Sequence, residues 1–349
     1  MIVLTETDVR GLLRVEDSFA CIEDAWRRYG AERAVTSTPA MAVMVVPGEA
    51  PTPWGIKGAV LPSLGLAGVF FGAQFGSYTF AVCDSRTGVI VGLVEQSWLT
   101  KRRTAVTAAI AAKHLATPGA SVAAVIGAGR IGAEAVRMLD HAFDLAAIRI
   151  ASRTIGGARA VCTALEGEVA APLIAATVAD AVAGADIVVT LTLAQAPVIA
   201  PGMLAEGAVL CSMGGVHEVE FAVLAEVDRV IVDEIDYALL RGAFAAWIAL
   251  GEITREALEA RIDADMGGVA GGLAPGRTGG RERILAVIQG MAVCDLAQAA
   301  MVLERAREAG VGTRVPLQAQ RAPPVGEGHA RIARLVAEGL RKRPPERER

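Results

Sequence analysis

Three glycines spaced G-x-G-x-x-G, at Gly127, Gly129 and Gly132, follow the apolar run Val122 to Ile126 in "VIGAGRIGAEAV". In that setting the first glycine permits a tight turn and the second lets the backbone approach a pyrophosphate. The third allows close packing of helix on strand. The helix that starts at Arg130 and Ile131 turns its free N–H groups and positive dipole end toward the phosphates. The chemistry expected is therefore the holding of a dinucleotide. Which dinucleotide depends on the end of the next strand, where an NAD site usually places an acid for the ribose 2'-hydroxyl. Here "IASRT" presents Ser152, Arg153 and Thr154, a guanidinium and two hydroxyls suited to a 2'-phosphate, so NADP(H) is expected over NAD(H). A proton-transfer group is expected at the end of a later strand, in "CSMGGVHEVEF". Of the four histidines in the chain, His217 alone lies at such a strand end, with Glu218 beside it. A histidine merely hydrogen-bonded in a turn is the competing account.

The elements that must position these residues follow from periodicity. Residues 5 to 34 carry two helical patterns, and 40 to 96 read as strands ("MAVMVV", "GVFFGAQF", "YTFAVCD", "VIVGLVE") joined by short segments, hence a mainly antiparallel sheet. The alanine-rich stretch 100 to 116 is a helix ended by "TPG". From "SVAAVIG" onward strands and helices alternate, which predicts a parallel, doubly wound α/β domain. "RILAVIQG" is a late strand, and "MAVCDLAQAAMVLERAREAG" a long helix. The expected organisation is residues 1–118 plus about 311–335 as a substrate-binding and dimerisation domain. Residues 119–310 form the NADP(H)-binding domain, and 336–349, with "RKRPPERER", a disordered charged tail.

Composition narrows the class. With 349 residues, 53% hydrophobic, there is material for two cored domains, and a net charge of -4 gives no basic footprint for nucleic acid. Five scattered cysteines without Cys-x-x-Cys or Cys/His clusters imply reduced thiols, no metal site and a cytoplasmic setting. Gly58 to Cys83 runs 26 residues without a charge, but its five glycines and Pro62 suit buried sheet at a subunit interface better than a membrane span.

Taken together the residues resemble the ornithine cyclodeaminase / mu-crystallin family. The likeness is carried by "DSRTGVIVGLVEQSWLTKRRTAVTAAIAAKHLA" (84 to 116), the glycine turn, "TLTLAQAPVI", "VIVDEIDYALLRGAF" and "VIQGMAVCDLAQAAMVLERAREAGVGT". It implies a homodimer with a central Rossmann domain and a second domain that binds a carboxylate-bearing amino or imino acid. It also implies that Thr190, Thr192, Met213 and Gly290 join the cofactor residues. Arg103 falls on the family's carboxylate-binding arginine; the earlier arginine of that clamp has no counterpart, since none lies between Arg33 and Arg86. The family's catalytic lysine aligns near Phe70, so Lys57 either serves from a neighbouring position or snorkels from a strand end. The family's aspartate is missing from "GGVHEVE", leaving His217 or Glu218 as proton donor. The expected function is an NADP(H)-dependent oxidoreductase on a C–N bond, an imine or ketimine reductase or amino-acid dehydrogenase. A cyclodeaminase using NAD catalytically and a non-catalytic NADP(H)-binding protein are the alternatives. Phe70 and Phe71 together hint at an apolar pocket.

Overall fold

The computed structural model describes residues 1–32, 34–47, 52–73 and 76–317; the expected charged tail lies outside them. Two sheets organise the chain. The first has the order Thr313–Arg314, Ile2–Leu4, Ile90–Glu95, Tyr78–Asp84, Leu66–Ala73, Thr52–Leu61, Val35–Thr36, with Ala42–Val46 also pairing Thr52–Leu61. All its pairings are antiparallel except Ile2–Leu4 on Ile90–Glu95. The short segments between its central strands leave no room for crossovers. Strand Leu66–Ala73 alternates strictly: Gly68, Phe70 and Gly72 are buried, whereas Val69 and Phe71 are exposed. Phe71 therefore lies on the face opposite Phe70 and does not contribute to a shared pocket, because successive strand residues point to opposite faces.

The second sheet is wholly parallel, in the order Leu173–Ala176, Ala147–Ala151, Val122–Ile126, Ile187–Thr190, Val209–Ser212, Ile284–Val287, Arg229–Val232, Ala264–Asp265. Its central strands Ile187–Thr190, Val209–Ser212 and Ile284–Val287 are buried along their length, as covering on both faces demands. From Val122–Ile126 the order runs outward in both directions, so the glycine turn after that strand sits at the switch point where doubly wound sheets take ligands.

Helix Ser97–Leu115 connects the two halves, with its alanines almost all buried. The helix Ala292–Ala309 belongs by sequence position to the NADP(H)-binding half. It packs instead against the first sheet and helix Val15–Glu32. Small residues explain the close approach: a Cβ on Gly92 would lie 2.4 Å from Leu303 Cδ2 of this helix. Among the described residues no helix is long and apolar enough to cross a membrane.

Candidate active site

The glycine turn has the geometry its spacing predicts. Gly127 has φ 127°, and a Cβ there would stand 2.6 Å from Leu191 O, so only glycine fits. A Cβ on Gly132 would lie 1.7 Å from Gly127 O, the close helix–turn contact. Gly129 differs: it has φ -86°, and a Cβ there would meet nothing within 4 Å, so the space beside its backbone is open. Gly129 also caps the helix Arg130–Ala142 without a side-chain hydrogen bond, and Arg130 is exposed beside it. Open space over a helix N-terminus of this kind fits a pyrophosphate.

At the end of Ala147–Ala151 the three residues "SRT" divide their work. Ser152 Oγ donates to Thr154 O at 2.6 Å, and Thr154 Oγ1 caps the helix Ile155–Leu165 by accepting from Gly157 N at 3.2 Å. Arg153 is exposed at the strand end.

Glu218, expected as a proton donor, has a different task. It is wholly buried. Its carboxylate accepts from Thr190 Oγ1 at 2.8 Å, from Gly214 N at 2.8 Å and from Thr192 N. With both oxygens engaged it is a clamp joining the loops after Ile187–Thr190 and Val209–Ser212. Burial pushes its pKa up while these hydrogen bonds pull it down. The Thr190 hydroxyl donates to the same clamp, and Thr192 Oγ1 accepts from Ala194 N at 3.2 Å. His217 lines a separate cleft with Pro197, Phe221 and Trp247.

The pocket that does form lies between the two sheets, a cavity of about 200 Å³. The first sheet contributes Lys57 and Phe70, helix Ser97–Leu115 contributes Thr100 and Arg103, and the parallel-sheet half contributes Ile131 and Met213. Lys57 and Phe70 are directly paired across adjacent strands, with Lys57 Nζ 5.0 Å from the Phe70 ring centre and 5.4 Å from that of Tyr237. Lys57 thus stands directly across from the position where the family's lysine aligns. Lys57 does not snorkel outward, being 3% exposed.

Asp295 organises this pocket. Fully buried on helix Ala292–Ala309, it lies 2.7 Å from Lys57 Nζ and accepts from Arg103 Nε at 2.9 Å. Gln96 Nε2 is 3.3 Å away. Lys57 and Arg103 thus share one buried carboxylate, which fixes both cations at the cavity. Gly290, expected among the cofactor residues, serves the same cluster. It has φ 89°, a Cβ there would lie 1.8 Å from Arg103 Nη1, and its carbonyl accepts from Lys57 Nζ. Its N–H in turn donates to buried Asp233. Asp295, Asp233 and Gln96 all lie in the segments that carry the family likeness, though none is among the expected site residues. The lone acid in the apolar run "AVCDLAQAA" is the signal that could have found Asp295. Among the described residues no group of three or more His, Cys, Asp or Glu is placed to hold a metal.

A parallel doubly wound sheet with a glycine turn, joined to a second sheet across a cationic pocket, defines a nicotinamide-dinucleotide enzyme class. The profile of the ornithine cyclodeaminase/mu-crystallin family matches residues 71–310, and the chain belongs to that family. It is 29% identical over 330 residues to an uncharacterized cyclodeaminase of Sinorhizobium fredii, covering 90% of this chain and 98% of that one. It is 26% identical over 329 residues to a Delta(1)-pyrroline-2-carboxylate reductase of Bacillus cereus, covering 90% and 99%. Among solved structures, the Thermococcus litoralis Delta(1)-pyrroline-2-carboxylate reductase in complex with NADH and L-proline superposes with a TM-score of 0.81. That match has 21% identity and covers 90% of this chain and 100% of that one.

Proposed function

We propose that the chain is an NADP(H)-dependent oxidoreductase that interconverts the C=N bond of a small imino acid and the C–N bond of the amino acid. The observation that carries this reading is the pairing of Lys57 and Arg103 on the buried Asp295, facing across one cavity the Ile131 and Met213 edge of the dinucleotide half. The nicotinamide, when bound, supplies or accepts a hydride. The remaining work falls to the protein. Arg103 spends its Nε on Asp295, which leaves the two Nη groups to grip a substrate carboxylate as a fork. Thr100 Oγ1 is buried without a partner among the described residues and lines the same cavity, a second hydrogen bond for the substrate. Lys57 delivers one proton to the imine nitrogen as the hydride reaches carbon, and recovers it from solvent afterwards. That accounts for NADPH + H⁺ consumed per C=N reduced.

Ring closure with loss of ammonia is the weaker reading. The lining of the cavity includes no Asp or Glu, and the one carboxylate of the "GGVHEVE" loop nearest it, that of Glu218, is sealed in its clamp. The preference for NADP(H) is supported by the exposed Arg153 and the absence of an acid in "IASRT". A homodimer is supported by the uncovered apolar face of the first sheet, where Met44, Val69 and Phe71 are exposed.

The test is absorbance-monitored oxidation of NADPH and NADH with Delta(1)-pyrroline-2-carboxylate and with 2-oxo acids plus methylamine. Turnover with NADPH is expected. Arg103→Ala should raise KM steeply, and Arg153→Ala should weaken NADPH by about 1 to 3 kcal/mol while sparing NADH. Stoichiometric ammonia and proline from ornithine with catalytic NAD would overturn the reading.

A further inference from the structure

Arg241 lines the same cavity as Lys57 and Arg103 and plays no part in the reading above. It lies between helices Ile235–Leu240 and Gly242–Ala249, where it caps the second with extended backbone (φ -140°, ψ 163°). Gly242 follows with φ 64°, and a Cβ there would stand 2.5 Å from Gln289 Nε2, itself a residue of the pocket wall. The turn that presents Arg241 is therefore held against the pocket by packing. No carboxylate among the described residues lies within ion-pair distance of its guanidinium, in contrast to Arg102, Arg137, Arg255, Arg281 and Arg305.

The charge count follows. The cavity wall carries three cations, Lys57, Arg103 and Arg241, and no acid. Behind it, among the described residues, only Asp295 pairs directly with any of them. Two further acids nearby act on the same cations, Asp233 on Arg103 and Glu234 on Lys57. Asp233 accepts from the N–H groups of Gly290 and Glu234, and Glu234 accepts from Thr36 Oγ1. Burial pushes both toward their neutral forms. Among the described residues Asp295 is the acid paired with Lys57 and Arg103, and Arg241 has no acid partner of its own. Arg241 is presented by a different element, the turn before helix Gly242–Ala249, from Lys57 on the first sheet and Arg103 on helix Ser97–Leu115.

We infer that Arg241 is a specificity residue that binds a second anionic group, so that this pocket selects short dicarboxylic imino or 2-oxo acids over their monocarboxylic analogues. The inference rests on the proposed C–N oxidoreductase reading for the reaction, though not for the binding. One carboxylate sits on the Arg103 fork beside Lys57. The other, at the far end of the carbon chain, reaches Arg241, and the C=N carbon is held between them. An arginine fork is the residue type that gains most from a planar carboxylate, and a methyl in its place leaves the guanidinium unpaired.

Two measurements test this. In calorimetric titrations of the protein, with and without saturating NADP⁺, glutarate should bind at least about tenfold tighter than pentanoate, the gain of one charge-assisted contact. Arg241→Gln should erase that ratio, and Arg241→Lys should restore part of it, with pentanoate binding unchanged in both. In the coupled assay with methylamine and NADPH, 2-oxoglutarate should exceed 2-oxopentanoate in kcat/KM, and Arg241→Gln should equalise them. Equal affinity for glutarate and pentanoate in the wild type overturns the inference, as does an equal loss for both ligands in Arg241→Gln. A loss of NADP⁺ affinity in that variant would also overturn it, by assigning the arginine to the cofactor. Failure of NADPH oxidation with every substrate sinks the oxidoreductase reading, while the titrations still decide the dianion site.

Discussion

Asp295 is the residue on which the pocket depends, since both Lys57 and Arg103 are nearly solvent-free and lean on it. Asp295→Ala would leave two buried cations facing each other. Breaking a buried pair by removing one partner costs about 3 to 5 kcal/mol, and a loss of this size is expected in urea unfolding. A variant as stable as wild type would show that water already screens the cluster. Glu234 offers a pH-dependent counterpart. Burial raises its pKa to about 7, with the Thr36 hydroxyl opposing and Asp233 adding to the rise. An acid whose folded pKa exceeds its unfolded value holds its proton more tightly in the native state. Stability therefore falls as pH rises from the unfolded pKa through the folded one. Glu234→Gln keeps an acceptor for Thr36 without the charge. Its melting temperature should gain on wild type progressively between about pH 5 and pH 8. A constant difference across that range would show that Glu234 titrates normally.

At the scale of the elements, the three glycines of the turn separate structure from binding. Gly132 and Gly127 are required by backbone contacts within the protein. Gly129 is required by none, since space is open beside it and its φ is ordinary. Gly129→Ala should therefore melt like wild type yet bind NADPH more weakly, by about 1 to 3 kcal/mol for a methyl forced against a pyrophosphate. Unchanged NADPH affinity would move the phosphate site away from this turn. Glu218 shows how an element boundary can mislead. Its place at the end of a strand matches that of a catalytic acid, but three converging donors turn it into the tie between two loops. The strand pattern was legible because period-2 burial is a local property. The partner of each loop side chain was not, because loop direction depends on what it packs against.

For the whole molecule, the uncovered face of the first sheet predicts assembly. Val69 and Phe71 stand on that face, exposed in the single chain, in a stretch without charge. An apolar sheet face of this kind marks an interface. Light scattering should give twice the 36.1 kDa chain mass, and Phe71→Glu should lower it toward one. A monodisperse single-chain mass for the wild type would refute the dimer. The two sheets, the glycine turn and the family were all legible in the residues alone. Each is governed by short-range rules: alternation along strands, glycine sterics within six residues, and segment length between strands. The pocket was legible only in part. Arg103 could be named from its helix, but its true companions come from distant parts of the chain. Lys57 meets Gly290 across 233 residues, and Arg103 meets Asp295 across 192. His217, close to the motif in sequence, lies in another cleft. Sequence proximity sets backbone conformation. The meeting of buried charges is decided by which faces of two sheets and three helices pack together, and that geometry exists only once the chain has folded.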